Sequence, residues 1–240
     1  MKKILFLFLL IPSINLIAQV QATFNLKKFS SAEKPYIETY LEVYSNSLEL
    51  KALDSNHMIS GVDIVQIIKD SGKKIIDFKK YTISDTLVKD QFYENIIDLQ
   101  RFQLNNGNYN IEIQISDKHS SNEAQIHNED FQIDFNDNLI QISDIELLDY
   151  YWKTNDVSET SKSGYSMIPL VTDYFSPEFN KLAYYFEIYN ADKYLKEESS
   201  YILLQSIKIR ETGNIAGQFN KLKKIKANRI TPILNSFNID

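Results

Sequence analysis

The chain carries one strand pattern twice. Tyr40-Leu41-Glu42-Val43-Tyr44-Ser45 recurs as Tyr185-Phe186-Glu187-Ile188-Tyr189-Asn190, with Tyr, Glu and Tyr kept and apolar residues exchanged between them. Hydrophobicity with a period of two sends alternate side chains to opposite faces of a strand. In Tyr36 to Tyr44, the residues Ile37, Thr39, Leu41 and Val43 share one face, and Tyr36, Tyr40 and Tyr44 share the other with Glu38 and Glu42. Leu182, Tyr184, Phe186 and Ile188 form the matching inward set. Helical spacing would scatter these residues around an axis, so the pattern predicts strands. Its recurrence predicts two β modules.

Each module next offers a strand, a turn and a strand. Ile67 to Gly72 precedes Lys73 to Tyr81, and Ile207 to Gly213 precedes Asn214 to Leu222. An acidic residue, a hydroxyl residue and a glycine suit a hairpin in which glycine supplies the positive φ. Phe78 and Phe219 stand at equal distances from their glycines, as do Tyr81 and Leu222, which predicts matching registers.

The first module closes with Leu104-Asn105-Asn106-Gly107-Asn108-Tyr109, then Ile111, Ile113 and Ile115 alternating with polar residues. Leu-x-x-Gly-x-Tyr before such a strand looks like the corner of an immunoglobulin-like sandwich, where the tyrosine hydroxyl bonds back to upstream backbone. Residues 117 to 129 read as a loop, Asp130 to Phe135 as a last strand, and Asn136-Asp137-Asn138 as a linker. The second module opens at Leu139 to Leu148. Residues 149 to 163 read as a loop, Gly164 to Val171 as a strand broken by Pro169, and 173 to 180 as a connection. Phe102-Gln103-Leu104-Asn105 leads into the corner and a late strand, whereas the corresponding Phe237-Asn238-Ile239-Asp240 leads into nothing.

The expected fold is therefore all-β. It comprises two tandem immunoglobulin-like β-sandwiches, 24–138 and 139–240, the second incomplete at its C-terminal end. Leu182, Phe186 and Ile207 should then lack a covering sheet, leaving an open edge that can template pairing with another chain. Either the natural product continues past Asp240 or a partner donates a strand. An incomplete sequence is the expectation, because donor-strand systems carry dedicated extensions not seen here.

The order of these pieces resembles the amino-terminal region of the GWxTD-domain proteins, exported bacterial proteins largely of unknown function. The resemblance rests on the Tyr-x-Glu-x-Tyr strands, the Leu104 to Tyr109 corner, Ile142-Ser143-Asp144-Ile145, Gly164-Tyr165 and Ile168-Pro169, and covers most of residues 24 to 240. The namesake motif is absent; Trp152-Lys153-Thr154-Asn155 is a near miss with Tyr151 in place of Gly and Asn155 in place of Asp. The resemblance implies a short or truncated member.

The amino terminus reads as a secretory signal, residues 1–18. Lys2 and Lys3 precede apolar Ile4 to Ile11 and Ile14 to Ala18, with a cut expected after Ala18, and the stretch is short for a stable membrane span. An uncleaved anchor is the competing reading. With no cysteine there is no disulfide, thiolate metal site or lipidated Cys, so the exported chain must hold together by core packing. The destination is the periplasm, outer envelope or extracellular space. A net charge of −6 disfavours nucleic acid as partner. Lys73-Lys74 and the run Lys221, Lys223, Lys224, Lys226 and Arg229 read as solvated faces rather than an anionic-ligand patch.

Candidate chemistry is thin. Gly164-Tyr165-Ser166-Met167-Ile168 has the first glycine and the serine of a nucleophile elbow but no second glycine, and only His57, His119 and His127 could serve as base. His119, Glu123 and His127, spaced by four, would bind zinc on a helix, but Ser120-Ser121-Asn122 argues for a loop. Asp134, Asn136, Asp137 and Asn138 offer oxygen ligands for calcium at the junction, against an ordinary polar linker. The rows Tyr36/Tyr40/Tyr44 and Tyr185/Tyr189 and the cluster Tyr150-Tyr151-Trp152 suit either packing against a neighbouring domain or a carbohydrate platform. No catalytic, cofactor or metal residue is assigned. The expectation is a non-enzymatic scaffold or macromolecule-binding module of the cell envelope. A carbohydrate-binding accessory module is the alternative, and a hydrolase is third.

Overall fold

The computed structural model describes residues 19–91, 93–172, 174–176, 179–195 and 199–239. The expected signal segment, residues 1–18, lies outside them, as do Asp240 and part of the connection expected over 173–180. The described chain is nearly all β, in several antiparallel sheets. Among the described residues no helix is long and apolar enough to cross a membrane.

The first half contributes β1 (Ala22–Phe29), β2 (Tyr36–Val43), β3 (Lys51–Ala52), β4 (His57–Asp70), β5 (Ile75–Val88), β6 (Ile96–Gln103), β7 (Gly107–Asp117) and β8 (Gln125–Ile133). Strands β1-β2-β6 form one sheet, and β3-β4-β7-β8 with β5 on β4 form a second. Alternation does the rest: Ile37, Leu41 and Val43 of β2 pack on Val62, Ile64 and Ile68 of β4 and on Ile111, Ile113 and Ile115 of β7. The Tyr109 hydroxyl donates to Asn105 O at 3.0 Å, as the corner reading expects. Strand β8 begins five residues earlier than the sequence suggests. The polar stretch 125–129 has β7 on one side to complete its backbone bonds, so its composition does not make it a loop.

The second half contributes β9 (Gln141–Ile142), β10 (Glu146–Lys153), β11 (Ser161–Lys162), β12 (Tyr165–Pro169), β13 (Lys181–Tyr189), the short helix α1 (Ala191–Tyr194), β14 (Ser200–Lys208), β15 (Ile215–Lys226) and β16 (Ile230–Asn238). Strands β11-β12-β10-β13-β16, with β9 on β13, make one sheet, and β14-β15 make a two-stranded ribbon. Residues 149–153 are strand rather than loop, carried past a register shift between Leu148 and Tyr150. Pro169 ends β12 beside that shift.

Two registers agree across the halves. Ile37 faces Phe102 and Tyr40 faces Leu99 in β2–β6, while Leu182 faces Phe237 and Tyr185 faces Leu234 in β13–β16. A buried glutamine also recurs between the sheets: Thr39 Oγ1 donates to Gln66 Oε1 at 2.8 Å, and the Tyr184 hydroxyl donates to Gln205 Oε1 at 2.9 Å.

Two expectations fail. Phe186 is buried and Leu182 and Ile207 pack beside it, because the ribbon covers that face with Ile225, Tyr201 and Leu203. The hairpin registers do not match either. In β4–β5 the pair Asp70 and Lys74 brackets three turn residues with Lys73 at φ 65°, whereas Ile209 and Asn214 bracket four with Gly213 at φ 69°. Glycine supplies the positive φ only in the second turn. One extra residue inverts every later side chain of a strand. Phe78 accordingly lies 63% exposed while Phe219 packs inward, and Tyr81 packs inward while Leu222 lies 71% exposed.

Candidate functional site

The sheets β1-β2-β6 and β9–β13/β16 meet through the faces turned away from their cores. Phe29 and Tyr36 pack with Leu148, Met167, Ala183 and Tyr185, and Tyr40 packs with Val171 and Leu99. Glu38 and Glu146 are 0% and 1% exposed in this layer, far below what a lone carboxylate tolerates. Lys162 holds them there, its Nζ 2.6 Å from Glu38 Oε2 and 2.7 Å from Glu146 Oε2. Arg101 Nε donates to Glu38 Oε1 at 2.7 Å, and the Tyr40 hydroxyl also donates to Glu38.

Local backbone explains how Lys162 arrives. Ser163 (φ 52°) and Gly164 (φ 81°) form a two-residue turn with positive φ at both positions, the geometry that matches strand twist. It folds β11 onto β12 and points Lys162 at the layer, with Nζ 4.0 Å above the Phe29 ring and 4.9 Å from that of Tyr185. The ammonium thus meets two carboxylates and two ring faces.

The charges set opposite directions on the two acids. Burial opposes ionisation of Glu38, but Lys162 and Arg101 outweigh it and hold its carboxyl below the usual range. Burial raises Glu146, and of the charges beside it Lys162 lowers the value while Glu38 raises it further. Burial and the carboxylates Glu146 and Glu38 keep the Tyr40 phenol well above its ordinary value. Nearby, Glu187 accepts from Tyr185 at 2.5 Å and from Tyr189 at 2.7 Å, and Ser30 N donates to the Tyr189 hydroxyl at 2.9 Å. Side chains this enclosed offer a substrate no surface. Their chemistry is adhesion between sheets.

The tyrosine rows therefore divide. Tyr36, Tyr40, Tyr185 and Tyr189 pack in the layer, as the interface alternative expected. Tyr44 is half-buried, its hydroxyl 2.8 Å from Thr23 Oγ1. Tyr151 also turns inward, edge-on to Tyr165. Tyr150 and Trp152 stay 59% and 43% exposed, with ring centroids 5.7 Å apart. A cavity of about 390 Å³ beside Tyr150 is lined also by Asp149, Tyr151, Asn180 and Lys181.

Other candidates stay apart. Gly164 belongs to the turn and Ser166 to β12, where its hydroxyl meets Thr160 Oγ1 at 3.0 Å. His57 pairs with Asp54, and His127 lies on β8 against the Phe24 ring. His119 N donates to Asp117 Oδ1 in the turn after β7, so His119, Glu123 and His127 do not share a helix face. Among the described residues no group of three metal-ligating side chains forms. The linker oxygens serve protein donors: Asn136 Oδ1 accepts from Asn138 N, Asp137 O from Lys193, and Asp134 O from Gln141.

A feature with no sequence motif is the free side of β14. Strand β4 pairs with β5 and β7, whereas among the described residues β14 pairs with β15 alone. Ser200 to Ile207 carry neither charge nor proline, the devices that usually guard an exposed edge, and only Lys208 at the end of the strand is charged. The uncharged run could have flagged it; only the fold shows that no further described strand pairs along it. Comparison of the sequence with protein-family models and with curated proteins finds no match.

Proposed function

We propose that this chain is an exported, non-enzymatic protein of two tandem immunoglobulin-like sandwiches, related to the amino-terminal region of GWxTD-domain proteins, that binds or scaffolds other macromolecules of the cell envelope. The observation that carries the binding role is the unguarded free edge of β14. Main-chain donors and acceptors along such an edge recognise an extended segment without a pocket. The matching β2–β6 and β13–β16 registers and the paired glutamines Gln66 and Gln205 support the tandem reading.

The test uses a photo-cross-linking residue at exposed Ile202 of β14, with exposed Phe78 of β5 as control. Adducts with envelope proteins should form from position 202 and not from 78. Adducts from neither position, or turnover of generic ester or glycoside substrates by the purified chain, would remove the reading.

The exposed pair Tyr150 and Trp152, with a cavity beside Tyr150, favours a second reading, a carbohydrate-binding module. Aromatic faces stack on sugar rings, and Asp149, Asn180 and Lys181 supply hydrogen-bonding groups. Polysaccharide affinity gels should retard the chain, and Trp152→Ala should abolish the retardation. Unretarded migration of the wild type through every gel would end this alternative.

A further inference from the structure

We propose that the free edge of β14 accepts one extended strand in the place that β7 takes on β4, a segment with apolar residues at every second position and a carboxylate placed to meet Lys208. The inference rests on the binding role given to that edge above and specifies the partner's chemistry.

Strand β4 shows what such an edge requires. Gln66 and Gln205 hold corresponding places between their sheets, so Lys69 and Lys208, each three residues further on, correspond as well. Along β4 lies β7, antiparallel, with Ile68 facing Ile111 and Ile64 facing Ile115. Lys69 Nζ reaches across that junction to Glu112 Oε2 at 2.6 Å. Lys208 is exposed and has no carboxylate partner among the described residues. Charge extends the argument, because β14 and β15 together hold five lysines and no acidic residue. An acidic strand fits this ribbon and a basic one is repelled.

The interior differs between the two glutamines. The Gln66 amide nitrogen donates to the Tyr81 hydroxyl at 2.9 Å. The Gln205 amide nitrogen and the Tyr201 hydroxyl, both on β14, are buried without partners, and Gln205 is only 7% exposed. Tyr81 lies on β5, and β15 already occupies the corresponding place beside β14, so this difference belongs to the covered side of the ribbon.

Strand β7 supplies a concrete probe, since Gly107–Asp117 alternates isoleucines and carries Glu112 and Asp117 without any basic residue. The purified full chain is titrated with a fluorescent peptide of that sequence, read by anisotropy. Saturable binding is expected below about 1 mM. N-methylation of alternate peptide nitrogens should weaken it by about tenfold or more, because strand addition depends on main-chain bonds. Lys208→Glu should weaken it too, and a peptide with Glu112→Lys should restore binding to that variant; circular dichroism confirms that the variant is folded. No saturation in this range, or binding indifferent to N-methylation and to the charge exchange, overturns the inference. Envelope adducts at position 202 without peptide binding would sink the strand chemistry while leaving the binding role standing. Loss of both would sink both.

Discussion

Lys162 and Glu38 stand 124 residues apart in sequence and meet at 2.6 Å in a layer closed to water. The pair ties the tip of the β11–β12 turn to the middle of β2, and so ties the two halves of the chain. Removing one partner from a buried pair leaves an uncompensated charge, which costs about 3–5 kcal/mol. Lys162→Met should therefore lower stability by about that amount, since Arg101 still supports Glu38 but Glu146 loses the one cation it meets among the described residues. Urea unfolding measures it. A midpoint unchanged from wild type would show that the layer is held by its aromatic residues alone.

The two acids should respond oppositely to pH. The Glu38 carboxyl, ordinarily titrating at 4.5, is lowered in the fold, so its contribution is present above that value and is lost as pH falls through its folded pKa. Glu146, with the same ordinary value, is raised, so it favours the fold at acid pH and withdraws that support as pH rises through its folded pKa. The loss caused by Glu38→Gln should be largest near neutrality and fade in acid. Glu146→Gln should gain on the wild type as pH rises. Thermal melting of both variants between about pH 2 and about pH 8 decides it. Parallel curves for the two variants would refute the assignment.

Legibility tracked distance along the chain. The period of two placed Ile37, Leu41 and Val43 inward and Leu182, Phe186 and Ile188 likewise, because a face is a property of one strand. The Tyr109 bond to Asn105 was readable because four residues hold both partners. Lys162 beside Glu38 and Glu146 was not, since nothing local in Ser161-Lys162 says which sheet it will meet. The expected match between the two hairpin registers fails for a smaller reason. Glycine was counted as a fixed marker, but the second turn holds one more residue, and parity along a strand does not survive an insertion.

The corner bond permits a modest test. Tyr109 also stacks on Phe131, with centroids 5.6 Å apart, so Tyr109→Phe keeps the ring packing and removes only the hydroxyl. The expected loss is about 1 kcal/mol, the net worth of one hydrogen bond. Gly107→Ala should cost more than its propensity alone, because an added Cβ would stand 3.3 Å from the Tyr109 ring. Chemical denaturation of both variants checks the order. A Tyr109→Phe protein as stable as wild type would mean that water replaces the bond to Asn105.

The two hairpin turns should answer glycine in opposite senses. Lys73 adopts φ 65° with a side chain that this region penalises by about 1–2 kcal/mol, while Gly213 adopts φ 69° without that penalty. Lys73→Gly removes the clash and adds freedom to the unfolded chain, so it should stabilise by about 0.5–1 kcal/mol. Gly213→Ala has open space for its methyl group and meets only the backbone penalty, so it should destabilise by about 1 kcal/mol. Because the Gly213 turn sets which face Phe219 and Leu222 present, near-ultraviolet circular dichroism should report loosened aromatic packing in Gly213→Ala and none in Lys73→Gly. Equal and same-signed shifts in melting temperature would contradict the turn assignment, and with it the parity argument that separates Phe78 from Phe219.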